Sequence, residues 1–328
     1  MGPGVHPWAC RDWEGGRVKP MKRVLIFANP IAGRGRGGDT AEMLRRAIAQ
    51  RGYEASVVLS RAETSGFRCE AGEVSAAIVI GGDGTLRSVA QWVMDGAGCK
   101  GEAGAGAFAY PLLLVPMGTA NLMASHLGIA WHDRRLGEEV CGALETRRVV
   151  HVDAASANGA LCLLVAGVGF DAAVIHELSR RRARPISKAS YLRPIWRALG
   201  GYRFGGLSVT VDGRRVFETA PALALVGNVR EYGTGFAMLP MARSDDGLLD
   251  VCVMPCGSRR ELVGLFLSAA TGRHVRRKGV VYARGKRIEI ESAQALPVQV
   301  DGEAAGFTPL RIDLLPWRIP FIVRAEHE

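Results

Sequence analysis

The stretch Ile78-Val79-Ile80-Gly81-Gly82-Asp83-Gly84-Thr85-Leu86-Arg87-Ser88-Val89 reads as a buried strand, a glycine turn with one carboxylate and one hydroxyl, and a helix start. Its three glycines permit positive φ and let a ligand approach the backbone closely. N–H groups at a helix start favour an anion. The combination suits a nucleotide phosphate. Asp83 could hold a magnesium ion or orient the phosphates, and Thr85 could donate to a phosphate oxygen. Gly-Gly-Asp-Gly is equally at home in an ordinary tight turn, so the surroundings decide.

Upstream, Arg23 to Ala28 is an apolar run ending in Asn29-Pro30-Ile31-Ala32-Gly33-Arg34-Gly35-Arg36-Gly37-Gly38. Downstream, Leu112 to Val115 ends in Pro116-Met117-Gly118-Thr119-Ala120-Asn121. Three strand-like runs thus feed three Gly/Pro/Asn loops, each followed by a helical pattern. In an open parallel sheet such loops gather at the carboxyl ends of the strands, where ligands bind. Asn29-Pro30-x-x-Gly33, Gly81-Gly82-Asp83-Gly84-Thr85 and Pro116-x-Gly118-Thr119-x-Asn121 together resemble the diacylglycerol kinase catalytic domain. That superfamily holds bacterial lipid kinases, sphingosine kinases and ceramide kinases, with NAD kinases and phosphofructokinases more distant.

The resemblance implies ATP and Mg2+ as cofactors. It implies nucleotide contacts from Asn29, Pro30, Ile31, Ala32, Gly33, Gly81, Gly82, Asp83, Gly84, Thr85, Leu86, Arg87 and Thr119, and from Ser60 at the end of the second strand. Ser60 also suits a simple turn. Arg87 departs from the family, which more often has Asn there; an arginine could still reach a phosphate as a bidentate donor. Asn121 is expected to cap or position its loop.

Composition limits the reading further. A chain of 328 residues favours two domains. Hydrophobic residues make up 48%, enough for real cores, and no apolar run approaches the ~20 residues of a membrane-spanning helix. Lys and Arg number 42 against 32 Asp and Glu, a net charge of +10. A basic balance points to an anionic partner. No nucleic-acid-binding signature is present, which leaves an anionic membrane surface or a polyphosphate; arginine-rich codon usage is another source of the bias. The seven cysteines include no Cys-x-x-Cys. They read as buried thiols in a reducing cytoplasm.

In chain order, Met1 to Pro20 reads as a disordered tail, with Met21 an alternative start. Thr40 to Arg51 has helical spacing with Met43, Ala47 and Ile48 inward. Leu86 to Met94 and Glu138 to Glu145 are further helices, and Asp95 to Ala109 is a Gly/Ala-rich connection. A first domain closes near Val150. From His151 the pattern changes to short strand-like runs, among them Val152–Ala157, Leu161–Val165, Leu207–Val211, Leu249–Met254 and Arg287–Glu291. That predicts an antiparallel sandwich. The expected organisation is therefore α/β plus all-β. A three-layer α/β nucleotide-binding domain (21–150) is followed by a β-sandwich lipid-binding domain (151–309), with a cleft between them. The segment 310–328 is expected to return to the first domain, as in the resembled family.

Three marks fall in the second half. Gly167-Val168-Gly169-Phe170-Asp171 resembles the family element whose Asp faces the lipid headgroup, so Asp171 is the candidate for holding the acceptor alcohol; it could equally be a helix N-cap. Asp245-Asp246-Gly247 places two carboxylates before a glycine, a set that could ligate a hard cation with nearby carbonyls or form a hairpin turn. The resemblance implies a structural magnesium site here, with the Asp246 side chain and the backbone carbonyls of Arg243 and Leu248. This element belongs to the lipid kinases and not to the NAD kinases. Val300-Asp301-Gly302-Glu303 puts a carboxylate on a turn, where it can serve as a general base; the family's proton acceptor falls at Glu303, with Asp83 the rival.

Arg180-Arg181-Arg182-Ala183-Arg184, Lys188, Arg193 and Arg197 interleave with Tyr191, Leu192, Ile195 and Trp196. Such a pattern suits peripheral contact with an anionic membrane or a solvated face. The expected activity is an ATP-dependent kinase acting on a lipid hydroxyl, peripheral at the inner, cytoplasmic membrane surface. Sandwich edges could pair in a homodimer. An NAD kinase-like enzyme and a non-catalytic nucleotide-binding regulator are the alternatives.

Overall fold

The computed structural model describes residues 23–59, 74–94, 108, 110–180, 197, 199–233 and 236–324. Strands β1 (Arg23–Ala28), β2 (Glu54–Val58), β3 (Val74–Gly81) and β4 (Leu112–Pro116) run parallel in the order β4-β3-β1-β2. Ile26 stands beside Ile78 and Ile80 beside Val115. Continuous apolar runs are required because both faces of a parallel sheet are covered. Val24, Ile26 and Ala28 face one layer, and Leu25 and Phe27 the other.

Helices α2 (Gly37–Gln50) and α5 (Leu136–Thr146) cover the first face, and α3 (Asp83–Met94) and α4 (Leu122–His126) the second; α1 (Ala32–Gly35) is a single turn. The buried stripe of α2 is Ala41, Leu44 and Ile48; of the expected Met43, Ala47 and Ile48, Ile48 is buried, Ala47 packs partly buried against the same core, and Met43 faces away from it. Met43 is 39% exposed. The helix starts at Gly37, and a stripe recurring every three to four residues from there passes through Leu44. Met43 falls beside it, against Gly137 of α5.

Two antiparallel layers make up the second half. One contains β5 (Val149–Ala157), β6 (Ala160–Cys162), β8 (Gly206–Val211) and β12 (Arg287–Glu291). The other contains β7 (Val165–Val168), β10 (Leu249–Pro255), β11 (Val281–Gly285), β13 (Pro297–Val300) and β14 (Glu303–Phe307). Strand β9 (Arg214–Gly227) belongs to both: Arg215 pairs with Thr210 of β8, and Val226 with Val251 of β10. Period-two alternation divides β10, with Val251 and Val253 in the core between the layers and Cys252 and Met254 facing outward. The outer face is covered by α6 (Phe170–Ser179) and α7 (Arg259–Ala270).

Strand β15 (Leu310–Ile322) ties the halves together. Ile312 pairs with Ile288 of β12, whereas Phe321 pairs in parallel with Leu112 of β4; β5 accompanies β15 along most of its length. The expected strand Leu161–Val165 is broken at Leu163-Leu164. Helix α7 was not anticipated, although Ser258 caps it by accepting from Glu261 N, and the Glu261 carboxylate accepts from Gly257 N just before the cap. No helix among the described residues is long and apolar enough to cross a membrane. Cys141, Cys162, Cys252 and Cys256 are buried free thiols, and burial pushes Cys252 up to about 12.

Candidate active site

The three glycine loops meet at the carboxyl ends of β1, β3 and β4. Asn29 N donates to Ile80 O (3.0 Å), Met117 N to Gly81 O (2.8 Å) and Gly33 N to Met117 O (3.0 Å). The Asn29 side chain accepts from Ile31 N at 3.2 Å, closing the turn through Pro30. Gly33 has φ 58°, and an added Cβ there would lie 2.3 Å from Met117 Cε. The second and third loops meet backbone to backbone, since a Cβ on Gly118 would sit 2.5 Å from Gly82 Cα. Glycine at both positions lets two backbones touch.

Asp83 occupies the first turn of α3, and its carboxylate leaves that helix to cap another. Oδ2 accepts from Leu122 N (3.0 Å) and Oδ1 from Met123 N (3.1 Å), the first amides of α4. Asn121 occupies the N-cap position of α4, but its side chain makes no capping bond. At φ 52° it turns inward, accepting from Gly118 N (2.8 Å) and donating to Gly118 O (2.9 Å), so it shapes the loop. Leu86 is buried in the core, and its N–H closes the first turn of α3 onto Gly82 O at 3.0 Å. Thr85 folds over Gly81, where an added Cβ would meet its Oγ1 at 2.4 Å. Gly84 and Thr119 are exposed at the mouth.

Glu303 arrives from the other half of the molecule. Asp301 (φ 50°) and Gly302 (φ 78°) form the two-residue turn between β13 and β14, the positive-φ pair that matches strand twist. The Asp301 carboxylate accepts from Leu163 N, Leu164 N and Val165 N at 2.8, 2.8 and 3.1 Å. Burial pushes that carboxyl up while the three amides pull it down. Arg87 forms an ion pair with Glu303 and donates to Val300 O at 3.2 Å. A Cβ on Gly84 would lie 3.5 Å from Glu303 Oε1. The carboxylate therefore lies beside the first turn of α3.

Asp171 sits in the first turn of α6, whose N-cap is Gly169. Its Oδ2 accepts from Tyr232 OH (3.1 Å) and Gln299 Nε2 (3.4 Å). Oδ1 is buried and without a hydrogen bond among the described residues. Burial pushes the carboxyl up to about 6. Gln299, itself fully buried, accepts from Gly302 N at 2.9 Å. One amide side chain thus links Asp171 to the turn that carries Glu303.

The Asp245-Asp246-Gly247 loop is fixed by Asp153 of β5, which accepts from Gly247 N (2.7 Å) and Arg318 Nε (2.6 Å). Asp246 accepts from Leu248 N (3.2 Å) and pairs with Arg284. Asp250, fully buried and pushed up by burial, keeps one oxygen without a hydrogen bond among the described residues, 3.5 Å from Arg284 Nε. Arg243 pairs with Asp245 at 3.3 Å. Among the described residues no three His, Cys, Asp or Glu side chains converge as a metal cluster. A cation at Asp246 would draw its other ligands from backbone carbonyls and water. The carboxylates of Asp246 and Asp250 supply negative charge for such a cation, which would compete with the Arg284 guanidinium for them.

The nucleotide-loop residues and Glu303 are thus brought together, and Asp171 is joined to them through Gln299. The Asp246 loop is held separately, through Asp153. Ser60 and the stretch 181–196 lie outside the described residues. Asp153, Gln299, Asp301 and Arg284 were not anticipated as parts of the site. An Asp-Gly pair at Asp301 reads only as a turn, and the others carry no local motif.

Residues 23–157 match the Diacylglycerol kinase catalytic domain, and residues 164–323 the YegS C-terminal NAD kinase beta sandwich-like domain. A protein of Pseudomonas aeruginosa (strain UCBPP-PA14) named "Probable lipid kinase YegS-like" is 33% identical over 72% of this chain and 72% of its own length. "Diacylglycerol kinase" of Mycobacterium tuberculosis (strain CDC 1551 / Oshkosh) is 25% identical over 95% of this chain and 98% of its own. A crystal structure from Bacillus anthracis str. Sterne superposes with a TM-score of 0.69 at 22% identity, covering 94% of this chain and 99% of that one. At that identity the superposition speaks for the fold alone. The chain belongs to the YegS-like lipid kinase family, and it is a kinase.

Proposed function

We propose that this kinase transfers the γ-phosphate of ATP to a lipid hydroxyl. The observation that carries the reading is the position of Glu303, a carboxylate from the sandwich half beside the first turn of α3, at Gly84. The amides and glycines of the loops at Asn29, Gly81 and Gly118 would cradle the phosphates, with Thr85 and Thr119 as hydroxyl donors. Glu303 takes the proton of the lipid hydroxyl. The hydroxyl oxygen attacks the γ-phosphorus in line, the bond to the β-phosphate oxygen breaks, and ADP leaves. Positioning and charge neutralisation supply most of the rate in such transfers.

Asp171, with its unpartnered Oδ1, would accept a hydrogen bond from the acceptor alcohol. Asp83 acts through α4 rather than as the base, since both its oxygens are engaged by backbone amides. Magnesium, when bound with ATP, supplies charge neutralisation on the phosphates. A second cation would sit at Asp246 with the carbonyls of Arg243 and Leu248. On this reading residues 21–150 form the nucleotide half and residues 151–309 the lipid half. The excess of 42 Lys and Arg over 32 Asp and Glu would favour contact with an anionic membrane surface on the cytoplasmic side.

The test is phosphate transfer from labelled ATP with magnesium to a mixed lipid extract, with NAD in a parallel tube and Glu303→Gln as control. A labelled lipid that disappears with the variant supports the reading and gives a product for mass identification. Labelled NADP without a lipid product would move the chain to NAD phosphorylation. ATP binding without transfer would make it a regulator.

A further inference from the structure

A cavity of about 890 Å3 opens on the other side of α4 from these loops. No residue of Asn29–Gly33 or Gly81–Arg87 lines it, nor do Thr119, Asp171 or Glu303. Its walls come from α4, the start of β5, the segments 229–231 and 242–245, and Val323-Arg324 after β15. The floor is apolar: Leu127, Val150, Val152, Val229, Ala242 and Val323. Around it stand four arginines, Arg148, Arg230, Arg243 and Arg324, against two carboxylates, Glu231 and Asp245. One of those carboxylates is already paired, Asp245 with Arg243.

Two of the guanidinium groups are anchored. Arg324 donates to Ala130 O at 2.6 Å, pairs with the Glu139 carboxylate at 3.5 Å and lies 5.9 Å from the Trp131 ring centroid; Arg230 Nε reaches Ala242 O at 3.4 Å. A guanidinium carries five N–H donors, so these bonds fix its place and leave donors for a ligand. Fixed forks of this kind suit phosphate. An apolar floor below them suits hydrocarbon, and the volume is that of a small-molecule site.

The cavity also touches the nucleotide loop indirectly. Leu122 and His126 of α4 line it, His126 Nε2 lies 2.7 Å from Ser244 Oγ, and the N-terminal amides of the same helix are held by Asp83. A ligand pressing on α4 would therefore move the partner of the Asp83 carboxylate. We propose that this cavity binds an amphiphile bearing a phosphate group, as an effector site coupled through α4 to the nucleotide loop. The inference does not rest on the lipid being the phosphoryl acceptor.

The experiment is calorimetric titration of the full chain with short-chain (dihexanoyl) phosphatidic acid, kept below its micelle concentration, and separately with inorganic phosphate. Both are repeated on Arg148→Gln/Arg230→Gln and on the charge-conserving Arg148→Lys/Arg230→Lys. The expected result is binding of the short lipid that weakens at least tenfold in the glutamine variant and is partly kept in the lysine variant. Melting curves should match wild type. ATP affinity, measured in the same preparations, should shift severalfold when the lipid is bound to wild type but not to the glutamine variant. A lipid advantage of tenfold or more over phosphate makes the amphiphile the ligand; equal affinities, lost together in the variant, make soluble phosphate the source of the same chemistry. No binding, binding untouched by the glutamine substitutions, or displacement of the lipid by ATP would each overturn the site. Intact lipid binding without a change in ATP affinity would overturn the coupling. Failure of ATP to bind at all would count against the kinase reading and leave the lipid titration standing.

Discussion

Arg87 and Glu303, 216 positions apart, form an ion pair that joins the first helix after the central glycine loop to the hairpin of the opposite sheet. Arg87 is the residue that departs from the expected family pattern, and the pair accounts for it. It reaches the general-base candidate rather than standing idle.

Removing the carboxylate while keeping its shape should separate chemistry from folding. Glu303→Gln is expected to lower turnover by about 10²- to 10⁴-fold, the usual weight of a general base. Arg87→Met should be milder, about tenfold in kcat/KM, because it only frees the carboxylate. Both partners are partly solvent-exposed, at 21% and 38%, so each change should alter stability by less than about 1 kcal/mol. Steady-state rates beside thermal melts on the same samples check this. Full turnover in Glu303→Gln would reject the assignment.

Asp83 invites the opposite result. Its oxygens hold the amides of Leu122 and Met123, and an amide side chain can satisfy only one of them. Asp83→Asn should therefore cost about 1–2 kcal/mol, the range of a lost helix cap. It should also raise the KM for ATP by loosening the third loop. A variant as stable as wild type but without turnover would restore Asp83 as the base.

Contact between the second and third loops depends on Gly118. The added methyl of Gly118→Ala would meet Gly82 Cα at 2.5 Å and Asn121 Oδ1 at 2.7 Å, and neither neighbour has room to yield. We expect a loss of about 1–3 kcal/mol, typical of overpacking, with ATP affinity down at least tenfold. Gly38, in α2, has nothing within 4 Å of an added Cβ. Gly38→Ala should be neutral or stabilise by about 0.5–1 kcal/mol. Paired titrations with ATP would show the contrast.

These residues mark where the sequence could be read and where it could not. The loops at Asn29, Gly81 and Pro116 were legible because glycine and proline restrict the backbone locally, and the parallel strands because both faces are apolar. Glu303 was singled out through the family resemblance, on an Asp-Gly-Glu motif that is weak by itself. Its neighbours Gln299 and Asp301 were not, because their roles arise from pairing across β7, β13 and β14. Met43 was misplaced because it lies at the edge of the stripe through Leu44 and Ile48, and an apolar side chain at such an edge gives no local sign of facing solvent. Asp83 was read as a phosphate or metal contact because its partner, the start of α4, lies 39 residues on.

The protonation of Asp171 gives a pH signature. Burial raises its pKa from the ordinary 3.8 to about 6, so between these values the folded chain binds more protons than the unfolded one. Stability contributed by this group is then present at low pH and lost as pH rises from about 4 past 6. Asp171→Asn removes the charge and should be more stable than wild type at pH 7, by about 3 kcal/mol, with the difference closing towards pH 4. Melts across that range would show it; a constant offset would contradict the buried-carboxyl reading. The same variant should lose the alcohol contact and raise the KM for the acceptor.

Arg284 stands where a cation at Asp246 would need negative charge. It pairs with Asp246 and lies 3.5 Å from Asp250 Oδ2. A divalent ion binding there must share or displace the guanidinium, since two positive charges cannot both approach these carboxylates without repulsion. Arg284→Gln should therefore bind Mg2+ more tightly than wild type, and Asp246→Asn more weakly. A ligand that binds only the folded state raises its stability in proportion to the logarithm of its concentration over Kd. Melting curves without nucleotide, taken over a series of Mg2+ concentrations, should then order as Arg284→Gln, wild type, Asp246→Asn in the size of the shift. Identical shifts in all three would place the magnesium effect elsewhere and remove Asp246 from the metal site.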